Sequence, residues 1–220
     1  MKVNQQTAPA REAIAPRTPR GEQRRAGLLE AARDVFLEQG YEGASVEEIV
    51  RRVGGSKASL YSYFGSKEGL FWEVLDRLSD EFMAELGVPE QADEHIEATL
   101  TLVGMRFLGI FLDPGRCRLF RTMIAESSRF PELAQSFFER GSLRVYQALG
   151  TYLQLQHRAG RLDCPSHDTM ATQFLELVKG TPHFRVLLSL PPFPPGFDPA
   201  AHVAGAVRLF LHGCARAAKP

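Results

Sequence analysis

The chain has 220 residues, 44% of them hydrophobic and 24% charged, the balance of a folded globular protein with room for a small domain beside a larger one. Lysine and arginine total 26, as do aspartate and glutamate, so no domain holds nucleic acid by bulk positive charge, and any such contact needs a few placed cations. Cys117, Cys164 and Cys214 lie far apart without metal-ligand or redox spacing. They read as thiols of a reducing, cytoplasmic compartment, and no apolar run or N-terminal signal implies a membrane partner.

Residues 1–20 carry Pro9, Pro16 and Pro19 with four cations against one acid, whereas residues 21–80 carry eight against eleven. The first stretch has no apolar periodicity and reads as a flexible basic arm. From Leu28 the residues Leu28, Ala32, Val35 and Phe36 recur at helical spacing and stop at Gly40, suited to the left-handed turn that ends a helix. Ser45-Val46-Glu47-Glu48 has the form of a capping box, opening a helix whose stripe is Val46, Ile49, Val50 and Val53. After Gly54-Gly55, Ser56 caps a helix over 57–64 with Leu60 and Phe64 on one face, and Ser66 caps a fourth.

A supporting helix followed by two short helices around a glycine turn makes a helix-turn-helix, placed at 21–66. Residues 67–220 read as a larger helical bundle. Its apolar faces are Leu100, Val103, Phe107, Ile110 and Phe111; Leu119, Met123 and Ile124; Phe137, Phe138, Val145, Leu149 and Leu153; Phe174, Leu175 and Val178; and Val203, Val207, Phe210, Leu211 and Cys214. Breaks fall at Asp113-Pro114-Gly115, Gly160, Cys164-Pro165 and the proline-rich 191–199. The expected fold class is therefore all-α.

With Leu60 and Phe64 turned inward, Lys57, Ala58, Tyr61 and Ser62 lie on the outer side of the second short helix, with Ser59 beside them, as the candidates for reading base edges in a major groove. In the bundle, Phe107, Phe111, Phe120, Met123, Phe137 and Phe174 are candidates to line an apolar ligand cavity, with Arg121, Glu126 or Tyr146 as polar groups to orient a ligand. Six histidines lack metal spacing, and no nucleophile motif or phosphate loop accompanies them. No metal, cofactor or catalytic set is expected.

The stretches Leu29–Tyr41, Ser45–Ile49 and Ser56–Leu70, in this order and spacing, resemble the DNA-binding domain of TetR-family regulators, and Ile124–Ala134 looks like the ligand-binding domain of the AefR-like subgroup. The sequence departs from the family's pattern at the turn, where Gly55 replaces a customary aliphatic residue, and Val50 and Val53 are expected to refill the volume. The resemblance implies phosphate or sugar contacts from Tyr61 and Tyr63, and backbone anchoring by Ser45, Ser56 and Lys67 at helix N-termini. Arg24 and Arg25 join them as trackers of phosphates or a minor groove. It further implies a homodimer through a four-helix interface built from Phe174, Val178, Val203, Val207, Phe210 and Leu211. The function this implies is a repressor that leaves near-palindromic double-stranded operator DNA when it binds a small apolar or amphipathic molecule. An enzyme or carrier on a helical bundle, without DNA binding, is the alternative.

Overall fold

The structure, a computed structural model, describes residues 18–214 and is helical throughout its regular elements. Ten helices follow in chain order among the described residues: α1 (Pro19–Gly43), α2 (Val46–Arg52), α3 (Lys57–Phe64), α4 (Lys67–Leu86), α5 (Ile96–Leu112), α6 (Pro114–Glu126), α7 (Pro131–Arg140), α8 (Ser142–Arg158), α9 (His167–Leu187) and α10 (Pro199–Cys214). They divide into two compact units, residues 1–75 and 76–220. Most of the expected arm, residues 1–17, lies outside the described residues, as does the side chain of Cys214.

In the first unit the helix starts are written locally. Thr18 Oγ1 accepts from the Gly21 N–H at 3.2 Å with Pro19 in the first helical turn, so α1 begins nine residues before the first apolar residue of its stripe. Ser45, Ser56 and Ser66 each accept a backbone N–H three residues on, at 3.1, 3.2 and 2.9 Å. The capping box forms only by half, because the Glu48 carboxylate turns to Arg51 and Arg52. Leu28, Phe36, Ile49, Leu60, Leu70 and Phe71 are fully buried, and Phe71 meets Phe36 edge-on at 5.0 Å.

The turn between α2 and α3 is a Schellman motif: the Gly55 N–H reaches Val50 O at 2.8 Å, the Gly54 N–H reaches Arg51 O at 3.4 Å, and Gly54 has a φ of 64°. A Cβ at Gly55 would meet Val53 at 3.6 Å and Arg24 and Leu28 at 3.8 Å, all ordinary contacts. Only Val53 of the two valines is a neighbour there, and it is exposed rather than packed.

In the second unit α9 is central, packed against α5, α6, α8 and α10. Asp113 caps α6 by accepting the Arg116 N–H at 2.8 Å, and the expected breaks at 113–115, 160 and 164–165 are connections, while Pro199 already opens α10. Ile124 is exposed rather than part of its expected face. Fully buried Gln156 donates to Asp93 O and the Tyr152 hydroxyl at 3.1 and 2.9 Å, tying the α4–α5 connection to α8.

The central helix is bent. Gly180 has φ 27° and ψ −135°, and Pro182 follows inside the same helix. Pro182 has no N–H to offer the carbonyl four residues back, at Val178. His202 of α10 fills that vacancy, its Nε2 lying 2.9 Å from Val178 O, which requires the proton on Nε2.

The interface residues expected from the sequence are corrected here. Phe174, Val178, Val203 and Val207 are 0% exposed within a single chain and Phe210 is 6% exposed, with Phe174 and Phe210 ring to ring at 5.1 Å. A side chain with no exposed surface is not available to a second copy, so these close the α5–α9–α10 core instead. Leu211 alone stays half-buried.

Two glycines test this packing. A Cβ at Gly69 would sit 2.2 Å from Phe64 O, so Gly69→Ala should cost about 1–3 kcal/mol of stability. Gly55→Ala should leave the protein unchanged or more stable by about 0.4–1 kcal/mol. Urea denaturation midpoints of the two variants check this.

Candidate nucleic-acid interface and sensor site

The short helix α3 buries Leu60 and Phe64 and leaves Lys57, Ala58, Tyr61 and Ser62 exposed, with Ser59 half-buried beside them. Ser59 is committed to the cap, its hydroxyl 3.0 Å from Ser56 Oγ. Lys57 is paired with Glu47 of α2, which holds the Glu47 carboxyl below its usual range. Such an exposed pair contributes little, so its lysine is exchangeable for another partner. Tyr63 is half-buried against Phe64. Lys67 is half-buried, its ammonium 4.6 Å over the Tyr41 ring, and burial lowers its pKa.

The two N-terminal arginines separate. Arg24 is exposed, whereas Arg25 pairs with Glu73 and stacks over Phe64 at 5.0 Å, fastening α1 to α3 and the start of α4 rather than standing free for phosphate. The sequence reading missed Arg51, whose side chain is the most exposed of the α2 cations and shares Glu48 with Arg52. Those two arginines hold the Glu48 carboxyl at about 2.

In the second unit four of the expected cavity residues come together. Phe107 and Phe111 lie 4.5 Å apart, Phe111 and Phe120 6.5 Å, and Phe120 and Phe137 5.7 Å. Phe174 does not join this chain of rings, being paired with Phe210, and Met123 is buried core. Arg121 donates to Val186 O and Ser189 Oγ at 3.0 and 2.9 Å, so it clasps the end of α9. Tyr146 donates to Glu176 at 3.1 Å, and burial followed by the Glu176 charge pushes its pKa to about 12. A separate open groove of about 870 Å³ is lined by residues including Ile96, Leu102, Met105 and Leu211.

The residue missed at this cluster is His183, brought there by the bend at Gly180–Pro182. Its ring meets Phe111 at 5.0 Å and Phe120 at 5.3 Å, both edge-to-face. Lys179, one turn earlier, lies 5.3 Å over Phe111 and pairs with Glu176 at 2.6 Å. Burial first, then the Lys179 ammonium, against the opposing Glu176 charge, pulls the His183 pKa from 6.5 to about 4. Between those values the unfolded chain takes up a proton that the folded chain refuses, so the stability contributed by neutral His183 is lost as pH falls from 6.5 towards about 4. His183→Leu should remove that loss, narrowing the fall in stability over this window by roughly 2–3 kcal/mol, as read from denaturation at a series of pH values.

Comparison with known proteins agrees with this division of labour. Residues 28–74 match the model of bacterial regulatory proteins of the tetR family, and residues 98–213 match the AefR-like transcriptional repressor C-terminal domain. The HTH-type transcriptional activator FasR of Mycolicibacterium smegmatis is 46% identical over 68 residues, 31% of either chain, and the repressor ComR of Escherichia coli is 41% identical over 61 residues, 28% of this chain and 29% of ComR. These alignments thus span less than a third of either relative. Among solved structures, the flavonoid-responsive regulator FrrA superposes with a TM-score of 0.75 at 29% identity, covering 89% of this chain and all of FrrA. A TetR regulator from Agrobacterium tumefaciens superposes at 0.72 and 21% identity, covering 90% and 95%.

Proposed function

Because the chain belongs to the TetR family of bacterial regulatory proteins, we propose that it is a repressor that holds near-palindromic operator DNA as a homodimer and leaves it when a small apolar or amphipathic molecule occupies the second unit. The observation that carries this reading is the presentation of α3. Behind a tight Schellman turn, its buried face is spent on Leu60 and Phe64, and its outer face offers Lys57, Ala58, Tyr61 and Ser62 without regular structure over them. Lys57 and Ala58 then read base edges, Tyr61, Tyr63 and Lys67 hold the sugar-phosphate backbone, and Ser45 and Ser56 offer helix N-termini to it. Arg51 adds a phosphate contact from α2.

The homodimer needs apolar surface that the single chain leaves uncovered. The outer sides of α9 and α10 and the residue that ends α9 supply it through Leu177, Phe184, Leu188 and Leu209, with Phe184 61% and Leu209 68% exposed. These replace the buried set expected from the sequence. A twofold dimer would present two α3 helices to half-sites about 34–36 Å apart.

Release follows if the effector prefers the conformation that does not bind DNA. Helix α4 starts in the first unit at Lys67 and ends in the second at Leu86, a continuous element through which the two sites could bias each other. A coupling of about 1–3 kcal/mol would weaken operator affinity roughly five- to 150-fold. The response of FrrA to flavonoids supports an effector-driven mechanism in this fold.

Two measurements test the reading. In a gel shift with the DNA upstream of its own gene, Lys67→Ala should weaken binding to every sequence and lower the salt dependence, whereas Lys57→Ala should change sequence preference. No shift at any salt concentration would favour the enzyme or carrier alternative. In sedimentation, the wild type should be a dimer and Leu209→Glu a folded monomer, while Phe210→Glu, buried against Phe174, should unfold the second unit rather than split a dimer.

A further inference from the structure

We propose that Glu47 is a specificity-determining residue of the candidate interface: its ion pair with Lys57 withholds that lysine from phosphate while leaving it able to read a base edge, an inference that rests on the first unit binding operator DNA. Lys57 is the first residue of α3, and its ammonium is held by the Glu47 carboxylate, which comes from the first turn of α2 across the Schellman turn. Neither residue makes a second ion pair among the described residues. Both side chains are exposed, so no core contact depends on the pair. A lysine there gains nothing from its own helix, because the start of a helix is the positive end of its dipole. The reason for the pair then lies in what approaches the outer face of α3.

Charge and donor count give opposite answers for the two things a duplex offers. A phosphate draws a cation by net charge, and Lys57 beside Glu47 has none to give: a phosphate that takes the ammonium displaces the carboxylate and leaves it bare against the polyanion. A guanine edge carries no formal charge and asks only for a donor. The ammonium has three N–H donors and Glu47 engages one, so the others can meet such an edge with the pair intact. Glu47 thus penalises a complex in which Lys57 lies on phosphate, the ordinary state on unrelated sequence, and does not penalise one in which Lys57 meets bases. The acids nearby do not share this role, because Glu48 is turned to Arg51 and Arg52 and Glu38 to Arg52.

The test is fluorescence anisotropy of the full-length protein with two duplexes of equal length, the DNA upstream of its own gene and a scrambled version, over a series of salt concentrations. Glu47→Gln keeps an acceptor for Lys57 and removes the charge. It should tighten binding to the scrambled duplex about five- to tenfold at roughly 0.1 M salt, and steepen the fall of log affinity with log salt by about 0.9, the mark of one added phosphate contact. Affinity for the upstream DNA should change by no more than about twofold, since Lys57 meets a base edge there with or without its partner's charge. In a Lys57→Ala background the same substitution should have neither effect, and Glu47→Gln should melt with the wild type because the pair is exposed. The proposal falls if Glu47→Gln tightens both duplexes alike, leaves the scrambled duplex and its salt dependence unchanged, or acts equally in the Lys57→Ala background, where only overall charge is altered. Wild type that binds neither duplex at any salt concentration overturns the regulatory reading and this inference with it, whereas wild type that binds DNA with any of those three variant results overturns this inference alone.

Discussion

The second unit is organised by a single missing hydrogen bond. Pro182 cannot donate to Val178 O, so the central helix α9 has to bend, and Gly180 supplies the backbone angles that allow it. Because α9 touches α5, α6, α8 and α10, the bend decides what each of them meets. Before it, Phe174 and Val178 close the core with Val203, Val207 and Phe210. After it, the direction of the helix changes, so His183 enters the phenylalanine cluster while Phe184, its neighbour, is left exposed. His202 makes the bend tolerable by occupying the vacant carbonyl, which fixes α10 to α9 by a polar contact in an otherwise apolar contact zone. Core, phenylalanine cluster and uncovered face thus share one backbone constraint.

The first unit follows a different economy, in which charge is paired rather than accumulated. Arg25 is held by Glu73, Arg52 by Glu38 and Glu48, and Lys57 by Glu47. For these described pairs, a polyanion would gain its cation by exchange of partners, and the exposed pairs are the ones that exchange cheaply. The half-buried Arg25–Glu73 pair, with the guanidinium stacked on Phe64, belongs to the scaffold that aims α3. On the proposed reading, sequence readout falls to the few side chains on the outer face of α3, with affinity depending on helix N-termini and on a small number of cations.

Much of this was legible in the sequence because it is local. Helix starts at Ser45, Ser56 and Ser66 depend on a side chain and an amide three residues apart, and the inward positions of α3 and α5 follow from 3.6-residue periodicity alone. The all-α class and the helix-turn-helix come from those short-range rules. The family resemblance agreed with them and added the expectation of a dimer.

What only the tertiary structure decided involves residues that meet across long stretches of chain or faces that periodicity cannot rank. On α9 and α10 two apolar stripes compete, and pattern alone does not say which packs inside one chain; the buried one is that of Phe174, Val178, Val203 and Val207, and the exposed one that of Leu177 and Leu209. Arg121 looked like a ligand group until the fold set it against Val186 and Ser189, more than sixty residues away. His183 carried no motif, because its chemistry comes from its neighbours: burial and the Lys179 ammonium together hold its imidazole neutral. Sequence determined the helices and the direction of their strongest faces, since those are set by bonds within a few residues; the third dimension chose among equally apolar faces and equally plausible polar groups, since that choice is made by desolvation and distance.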